Sequence, residues 1–214
     1  EIMRIFQSIE VADDVASFSE VSTRYEFLNV AGDVLMRFDT GRADALSGWP
    51  ASNMIHQPSI EEVLRARVIE CDCVDAHFGA AYHGHEARKE VVKVHFEAHG
   101  KTSMARCRFL IGCDGANSAV RANAGLSLVD LGFSERWLVI DTQVIDSSRL
   151  PRHNLQICDP ERPTTSVRMG AGRHRWEFML KAAEKEHDVL APAFVANLLS
   201  SWDVDGAAEL ERTA

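Results

Sequence analysis

The run Cys107-Arg-Phe-Leu-Ile-Gly-Cys-Asp-Gly-Ala-Asn-Ser-Ala-Val-Arg121 constrains this chain more than any other segment. Phe109 to Ile111 is an apolar stretch of strand type, the end of a strand expected from about Arg106, and it stops at Gly112. Asp114-Gly115 then makes a tight turn, and Asn117-Ser118 can cap a helix that begins near Ala119. Strand, acidic turn and helix N-terminus in that order aim backbone N–H groups and one carboxylate at whatever lies above a sheet edge. Phosphate and ribose oxygens of a nucleotide need donors and acceptors held in place in this way. An ordinary β-turn-α connection, in which Asp114 only stabilises the turn, accounts for the same spacing.

Composition narrows the classes. A chain of 214 residues can bury a substantial core as one large domain or as parts of two. Its 46% hydrophobic and 26% charged content is that of a folded rather than a disordered protein. No apolar run approaches the ~18–20 residues that cross a bilayer, and no signal-peptide pattern opens the chain, so no membrane partner is expected. A net charge of −9 without a Lys/Arg-rich stripe argues against a nucleic-acid partner. The five cysteines, Cys71, Cys73, Cys107, Cys113 and Cys158, are odd in number and irregular in spacing, which fits reduced thiols and a cytoplasmic location. Neither Cys71/Cys73 nor the closest histidine pairs, His83/His85 and His95/His99, is joined by a second pair at metal-binding spacing, so no metal site is expected.

Along the chain, Ile2, Ile5, Phe6 and Ile9 share a helical face that starts without a cap before it, which reads as a piece of a longer protein. Tyr25 to Phe38 reads as a β-hairpin turning at Ala31-Gly32-Asp33, and Ser59 to about Glu70 as a helix buried through Val63, Leu64 and Val68. Glu90 to Glu97 alternates as a strand. Further strand-like runs lie at Trp137–Val144, Asn154–Ile157, Ser166–Met169 and Arg175–Leu180, followed by a helix from Ala191 to Trp202. Gly170-Ala-Gly172 lacks the third glycine of a dinucleotide loop, since Arg175 stands there.

Gly112 to Arg121 resembles the Asp-Gly motif of the single-component flavoprotein aromatic hydroxylases. Further segments match in order: Asn53 to Arg67, in which Gln57 stands at the flavin-reaching glutamine, and Phe133-Ser-Glu-Arg-Trp-Leu-Val-Ile-Asp141. Cys158-Asp-Pro-Glu-Arg-Pro163 and Gly172-Arg-His-Arg-Trp-Glu-Phe178 resemble the 3-(3-hydroxyphenyl)propionate hydroxylase branch. The likeness runs over nearly the whole chain.

The resemblance implies a mixed α/β fold: part of a doubly wound FAD-binding domain, residues 1–20 and 49–133, interleaved with a sheet-rich substrate domain, residues 21–48 and 134–214. It implies FAD as cofactor, NAD(P)H as co-substrate and a small phenolic acid as substrate, hydroxylated with O₂, homo-oligomerisation being left open. The flavin supplies the redox chemistry, so no catalytic nucleophile, triad or metal is required of the protein. Gln57, Asp114, Gly115, Arg121 and Arg175 become the cofactor-binding candidates, and Arg168, Arg173 and Trp176 the substrate-binding ones. A guanidinium fork suits the carboxylate of an arylpropionate. Alternation sets Arg173 and Arg175 on one strand face and His174 and Trp176 on the other, so at most one of these sets lines a pocket. Both glycine-rich parts of the FAD site are missing from these residues, and the 214-residue chain alone is expected to bind FAD weakly or not at all and to be inactive. A ligand-binding module without catalysis, and a flavin monooxygenase acting on a polyketide-type aromatic, are the alternative readings.

Overall fold

The computed structural model describes residues 1–40, 47–202, 204 and 208–210. In chain order the elements are α1 (Ile2–Ser8), α2 (Ala12–Phe18), β1 (Glu20–Val21), β2 (Arg24–Leu28), β3 (Val34–Asp39), β4 (Asn53–Met54) and α3 (Gln57–Ile69). There follow β5 (Ala81–Arg88), β6 (Val91–Ala98), β7 (Lys101–Cys107), α4 (Ala119–Asn123), β8 (Trp137–Val144), β9 (Asn154–Ile157), β10 (Thr164–Met169) and β11 (Arg173–Met179). The described chain ends with α5 (Glu186–Val189), α6 (Pro192–Leu199), a 3₁₀ turn at Ser200–Trp202 and β12 (Ala208–Leu210). Contacts divide it into two compact units, Glu1–Arg67 with Ser134–Ala214, and Val68–Phe133. These bounds differ from the expected domains, for residues 1–20 and 49–67 cluster with the large sheet.

The first unit is built on a seven-stranded sheet in the order β12-β8-β11-β10-β9-β2-β3. The pairings are antiparallel except β2 with β9, which run parallel. Burial in β11 alternates strictly, with His174, Trp176 and Phe178 buried and Arg173, Arg175, Glu177 and Met179 half-exposed. The period of two follows from the pleat, and the buried side is the one that α6 covers. There Leu138, Ile140, Leu150, Trp176, Phe178 and Leu199 form one core, extended by Phe194, Val195, Leu198 and Trp202. Pro192 opens α6 where its missing N–H costs nothing, which is why that helix starts sharply.

A second cluster joins α1 and α2 to α3 through Met3, Ala12, Val15 and Ile60, with Phe6, Trp49, Val63 and Leu64 packed around it. Of the apolar face expected of the first helix only Phe6 packs into this cluster; Met3 is buried beside it, while Ile2 and Ile5 are 61% and 57% exposed. In α3 it is Ile60 that is buried, and Val68 lies open. The β2–β3 hairpin closes as its sequence suggests, with Asn29 and Asp33 hydrogen-bonded to each other and Gly32 at φ +87°. Gly170-Ala-Gly172 is the three-residue loop between β10 and β11. Ala171 and Gly172 sit at φ +60° and +68°, and a Cβ built on Gly170 would lie 2.0 Å from the Phe18 carbonyl oxygen.

The second unit is a three-stranded antiparallel meander, β5-β6-β7, with α4 against β5. Asn123 ties the two together, its Oδ1 accepting from the Tyr82 hydroxyl at 3.2 Å and from the His85 N–H at 3.0 Å. The strand expected to run to Ile111 stops at Cys107, and residues 108–115 follow without regular pairing. Phe109 and Ile111 are 79% and 82% exposed, so this apolar stretch has no partner strand among the described residues.

Candidate functional site

Of the charged candidates, the half-exposed face of the large sheet carries Arg175, with Arg173 at its hairpin end. Register aligns Phe27, Gln156, Thr165, Glu177 and Val139 in one row across five strands, all on that face. In the neighbouring position Arg175 stands directly opposite Asp141 and Val167. The Arg175 guanidinium engages Asp141 through two parallel bonds, Nε to Oδ1 at 2.7 Å and Nη2 to Oδ2 at 2.8 Å. Nη1 lies 4.0 Å from Glu177 Oε1. The bond to Asp141 raises the Arg175 pKa further, so the cation is permanent. Tyr25 lies near Glu177: burial first, then the Glu177 charge, pushes its hydroxyl pKa above the ordinary tyrosine value. Tyr25 and Phe27 meet edge to face at 5.2 Å, and Phe27 and Phe38 at 6.0 Å, which gives this end of the face an aromatic wall.

The three arginines expected as one cluster separate. Arg168 points to the opposite side, where its Nε holds Glu20 at 2.5 Å. Arg173 Nη1 returns to the Ala171 carbonyl at 3.1 Å, at the hairpin end. Trp176, expected as part of a substrate wall, is instead wholly inside the core, against His174 with the rings tilted and 4.2 Å apart, and edge-on to Trp202 at 6.3 Å. The pleat decides this: a residue next to Arg175 on an antiparallel strand must face the other way. His174, also fully buried, shares a 2.8 Å bond between Nε2 and Ser166 Oγ; burial, with the Arg168 charge behind it, lowers its pKa to about 4 and keeps it neutral. Gln57 opens α3 exposed, with Nε2 donating to Glu61 Oε1 at 3.0 Å.

The Asp-Gly corner, in the second unit, is wired locally. The Ser118 hydroxyl donates to Asp114 Oδ1 at 2.5 Å, and the Val120 N–H to Asp114 Oδ2 at 3.1 Å. Ser118 Oγ in turn accepts the Arg121 N–H at 3.0 Å, and the Arg121 guanidinium folds back onto the Ala116 carbonyl at 2.7 Å. The amides expected to face a ligand are therefore already taken by Asp114 and Ser118. The Ser118 hydroxyl first, then the Val120 amide, hold the Asp114 carboxyl below its ordinary range. Gly115 has φ +81° with nothing within 4 Å of a built Cβ, so a flat group can approach the turn closely. A Cβ on Gly112 would come within 2.9 Å of Val120, so glycine is needed there for the helix to pack on the chain leading to it.

The sequence profile of the FAD binding domain family matches residues 1–210. The chain belongs to that family. Its curated relatives include the "Probable NADH-specific resorcinol 4-hydroxylase" of Rhodococcus jostii, 34% identical over 220 residues that cover 100% of this chain and 41% of the relative. The 3-(3-hydroxy-phenyl)propionate/3-hydroxycinnamic acid hydroxylase of Mycolicibacterium gilvum is 30% identical over 93% of this chain and 34% of its own length. The chain thus spans about two fifths or less of the length of these relatives. Among solved structures, p-nitrophenol 4-monooxygenase PnpA of Pseudomonas putida superposes with a TM-score of 0.82 at 14% identity, over 98% of this chain and 54% of that one, a likeness of fold. The mixed α/β fold expected of the sequence is therefore the observed one.

Asp141, Glu177 and Tyr25 were not among the sequence candidates. The signal for Asp141 was a single acid directly after the apolar run Trp137–Ile140 in the same strand, at a place where a cross-strand cation would keep it.

Proposed function

We propose that this chain forms the central part of an FAD- and NAD(P)H-dependent monooxygenase that hydroxylates a small phenolic compound with O₂. The observation that carries the reading is the family match over residues 1–210, joined to two relatives named as phenolic-ring hydroxylases at 30% identity or more. NADH is the favoured reductant, since the Rhodococcus relative is named NADH-specific. No described helix is long and apolar enough to cross a membrane, and the cytoplasmic location in this reading rests on the expected reduced thiols.

The donor set accommodates the cofactor in part. An exposed, ionised Asp114 beside an open Gly115 suits the hydroxyls of a nucleotide and repels its phosphates. Each within its own unit, Gln57 and Arg175 of the first and Asp114 and Gly115 of the second keep their assignment as cofactor contacts, Arg175 toward the flavin, whose carbonyl oxygens accept from a guanidinium. Arg121, spent on the Ala116 carbonyl, fits a phosphate only after releasing that bond. When bound, FAD supplies the electron transfer and oxygen activation. The protein's share is to hold the phenol against the Tyr25–Phe27 wall, keep water out and place fixed charge beside it. On this face the Glu177 carboxylate is placed to take a phenolic proton, while the Tyr25 hydroxyl, its pKa raised, keeps its own proton and donates a hydrogen bond. Arg173 remains a candidate for a substrate carboxylate at the rim of the face, and Arg168 for one on the opposite side, where it must first leave Glu20.

The test is to express the complete protein, load it with FAD and follow NADH oxidation and product against resorcinol, hydroxyphenylpropionate and hydroxycinnamate. Substrate-dependent NADH consumption with one added oxygen in the product is expected. A flavin-loaded protein that oxidises NADH with none of a broad phenol panel would contradict the reading.

A further inference from the structure

We infer that Asp141 is the positioning residue for Arg175 and so determines how this chain meets the flavin; the inference rests on the cofactor assignment of Arg175 above. The two side chains face each other across the β8–β11 pairing, so neither needs to reach. Asp141 takes the Nε–Nη2 edge of the guanidinium in two short, nearly equal bonds. Such a side-on clasp fixes the plane of the guanidinium as well as its position. It also decides which donors are left: one proton on Nη2 and both on Nη1, at the end of the fork. Glu177, 4.0 Å from Nη1, is close enough to steady that end by charge and too far to hydrogen-bond it.

The burial is the middle range that a positioning pair needs. Arg175 and Asp141 side chains are 31% and 30% exposed, so the clasp is partly shielded while the fork end remains reachable. A free arginine would spread over many rotamers and would lose that freedom each time it bound. Held by Asp141, it presents a preformed donor edge to an acceptor-rich ring. The Arg168–Glu20 pair on the other side of the sheet shows the contrast: a single bond among the described residues, from Nε, between residues 148 apart in sequence.

The experiment uses the complete FAD-loaded protein with Asp141→Asn, Asp141→Glu, Arg175→Lys and the Asp141→Asn/Arg175→Lys double variant. The readouts are the FAD dissociation constant, the visible spectrum of bound flavin and the split between kcat and KM. Asp141→Asn keeps the side-chain volume and removes the charged second acceptor; it is expected to weaken FAD on the order of tenfold and to shift the flavin bands. Asp141→Glu should recover part of this. In the Arg175→Lys background the Asp141→Asn change should add almost nothing, because the side chain it orients is gone. An undiminished, additive loss in the double variant would mark Asp141 as merely structural and overturn the inference. So would full FAD affinity and an unchanged spectrum in Asp141→Asn beside a weakened Arg175→Lys, and that result would leave the cofactor assignment of Arg175 standing. Wild-type FAD binding by Arg175→Lys would overturn both.

Discussion

The large sheet and the Asp-Gly corner each carry an acid bound up with a cofactor candidate, Asp141 as the partner of Arg175 and Asp114 as a candidate itself, yet the two acids are held in opposite ways. Asp141 is held by Arg175, 34 residues away, across a strand pairing that exists only in the folded sheet. Asp114 is held by Ser118 and Val120, four and six residues away, in a turn that can close with little help from the rest of the molecule. Long-range partners make a site cooperative with the core; short-range partners make it a local device whose loss the core barely feels. Substitutions in the sheet should therefore be large in stability, and substitutions at the corner small, and departures from that order would break the contrast.

The largest effect is expected at Trp176. It has no exposed surface and packs on His174, Trp202 and the α6 residues. Trp176→Ala removes this contact and leaves a cavity, at a cost of about 3–5 kcal/mol. Among the described residues its Nε1 has no hydrogen-bond partner, so Trp176→Phe removes an unpaired donor and should cost clearly less than the alanine change. Urea unfolding of the two variants measures the difference; equal losses would show that packing alone accounts for the residue.

His174 extends the same logic to pH. Its folded pKa of about 4 lies below the ordinary histidine value of 6.5, so the unfolded chain takes up a proton first as the solution is acidified. Stability from this group is complete above pH 6.5 and is lost as the pH falls toward 4, by a total of about 3 kcal/mol. His174→Phe should lower stability at neutral pH by breaking the Ser166 bond, and flatten the slope between pH 6.5 and 4. A slope that persists in the variant would assign the acid sensitivity elsewhere.

A smaller loss is expected at Gly170. Any Cβ there meets the Phe18 carbonyl at 2.0 Å, so Gly170→Ala must push the β10–β11 loop off the end of α2, for about 1–3 kcal/mol. The cost belongs to the sheet unit, and an unchanged denaturation midpoint would mean that the loop shifts freely.

How far the sequence could be read follows the same division. The strands Trp137–Val144 and Asn154–Ile157 match their expected bounds because alternation over four to eight residues is a local record of a two-sided sheet. The opposite faces of Arg175 and Trp176 were legible for the same reason, although the choice of Trp176 as a substrate wall was not sustained, since which face is covered depends on α6, residues 192–199, well beyond the strand itself. Phe109–Ile111 reads as a strand by composition, but pairing requires a neighbour, and none is present among the described residues. The clasp of Asp141 on Arg175 was invisible because register between β8 and β11 is set by the intervening β9–β10 path rather than by either strand alone.

The smallest effect is expected at Ser118, and it discriminates most sharply between a cap and a cofactor ligand. Ser118 Oγ accepts the Arg121 N–H, the usual N-cap bond, and its hydroxyl proton goes to Asp114. Ser118→Ala should cost about 0.5–2 kcal/mol, at the low end because α4 has only five residues and little of the protein leans on it. The same change removes the first cause of the lowered Asp114 pKa, so that carboxyl should titrate at higher pH, with the Val120 amide still holding it down. The sign is that of a carboxylate favoured in the folded state: its contribution is present above the ordinary carboxyl range and fades as acid protonates it. Carboxyl titration by NMR, compared in wild type and Ser118→Ala with and without FAD, separates the roles. If the cap is the whole function of Asp114, FAD leaves its titration unchanged in both proteins. If Asp114 also meets the cofactor, FAD lowers the pKa again in Ser118→Ala, because a nucleotide hydroxyl takes the place of the lost serine donor.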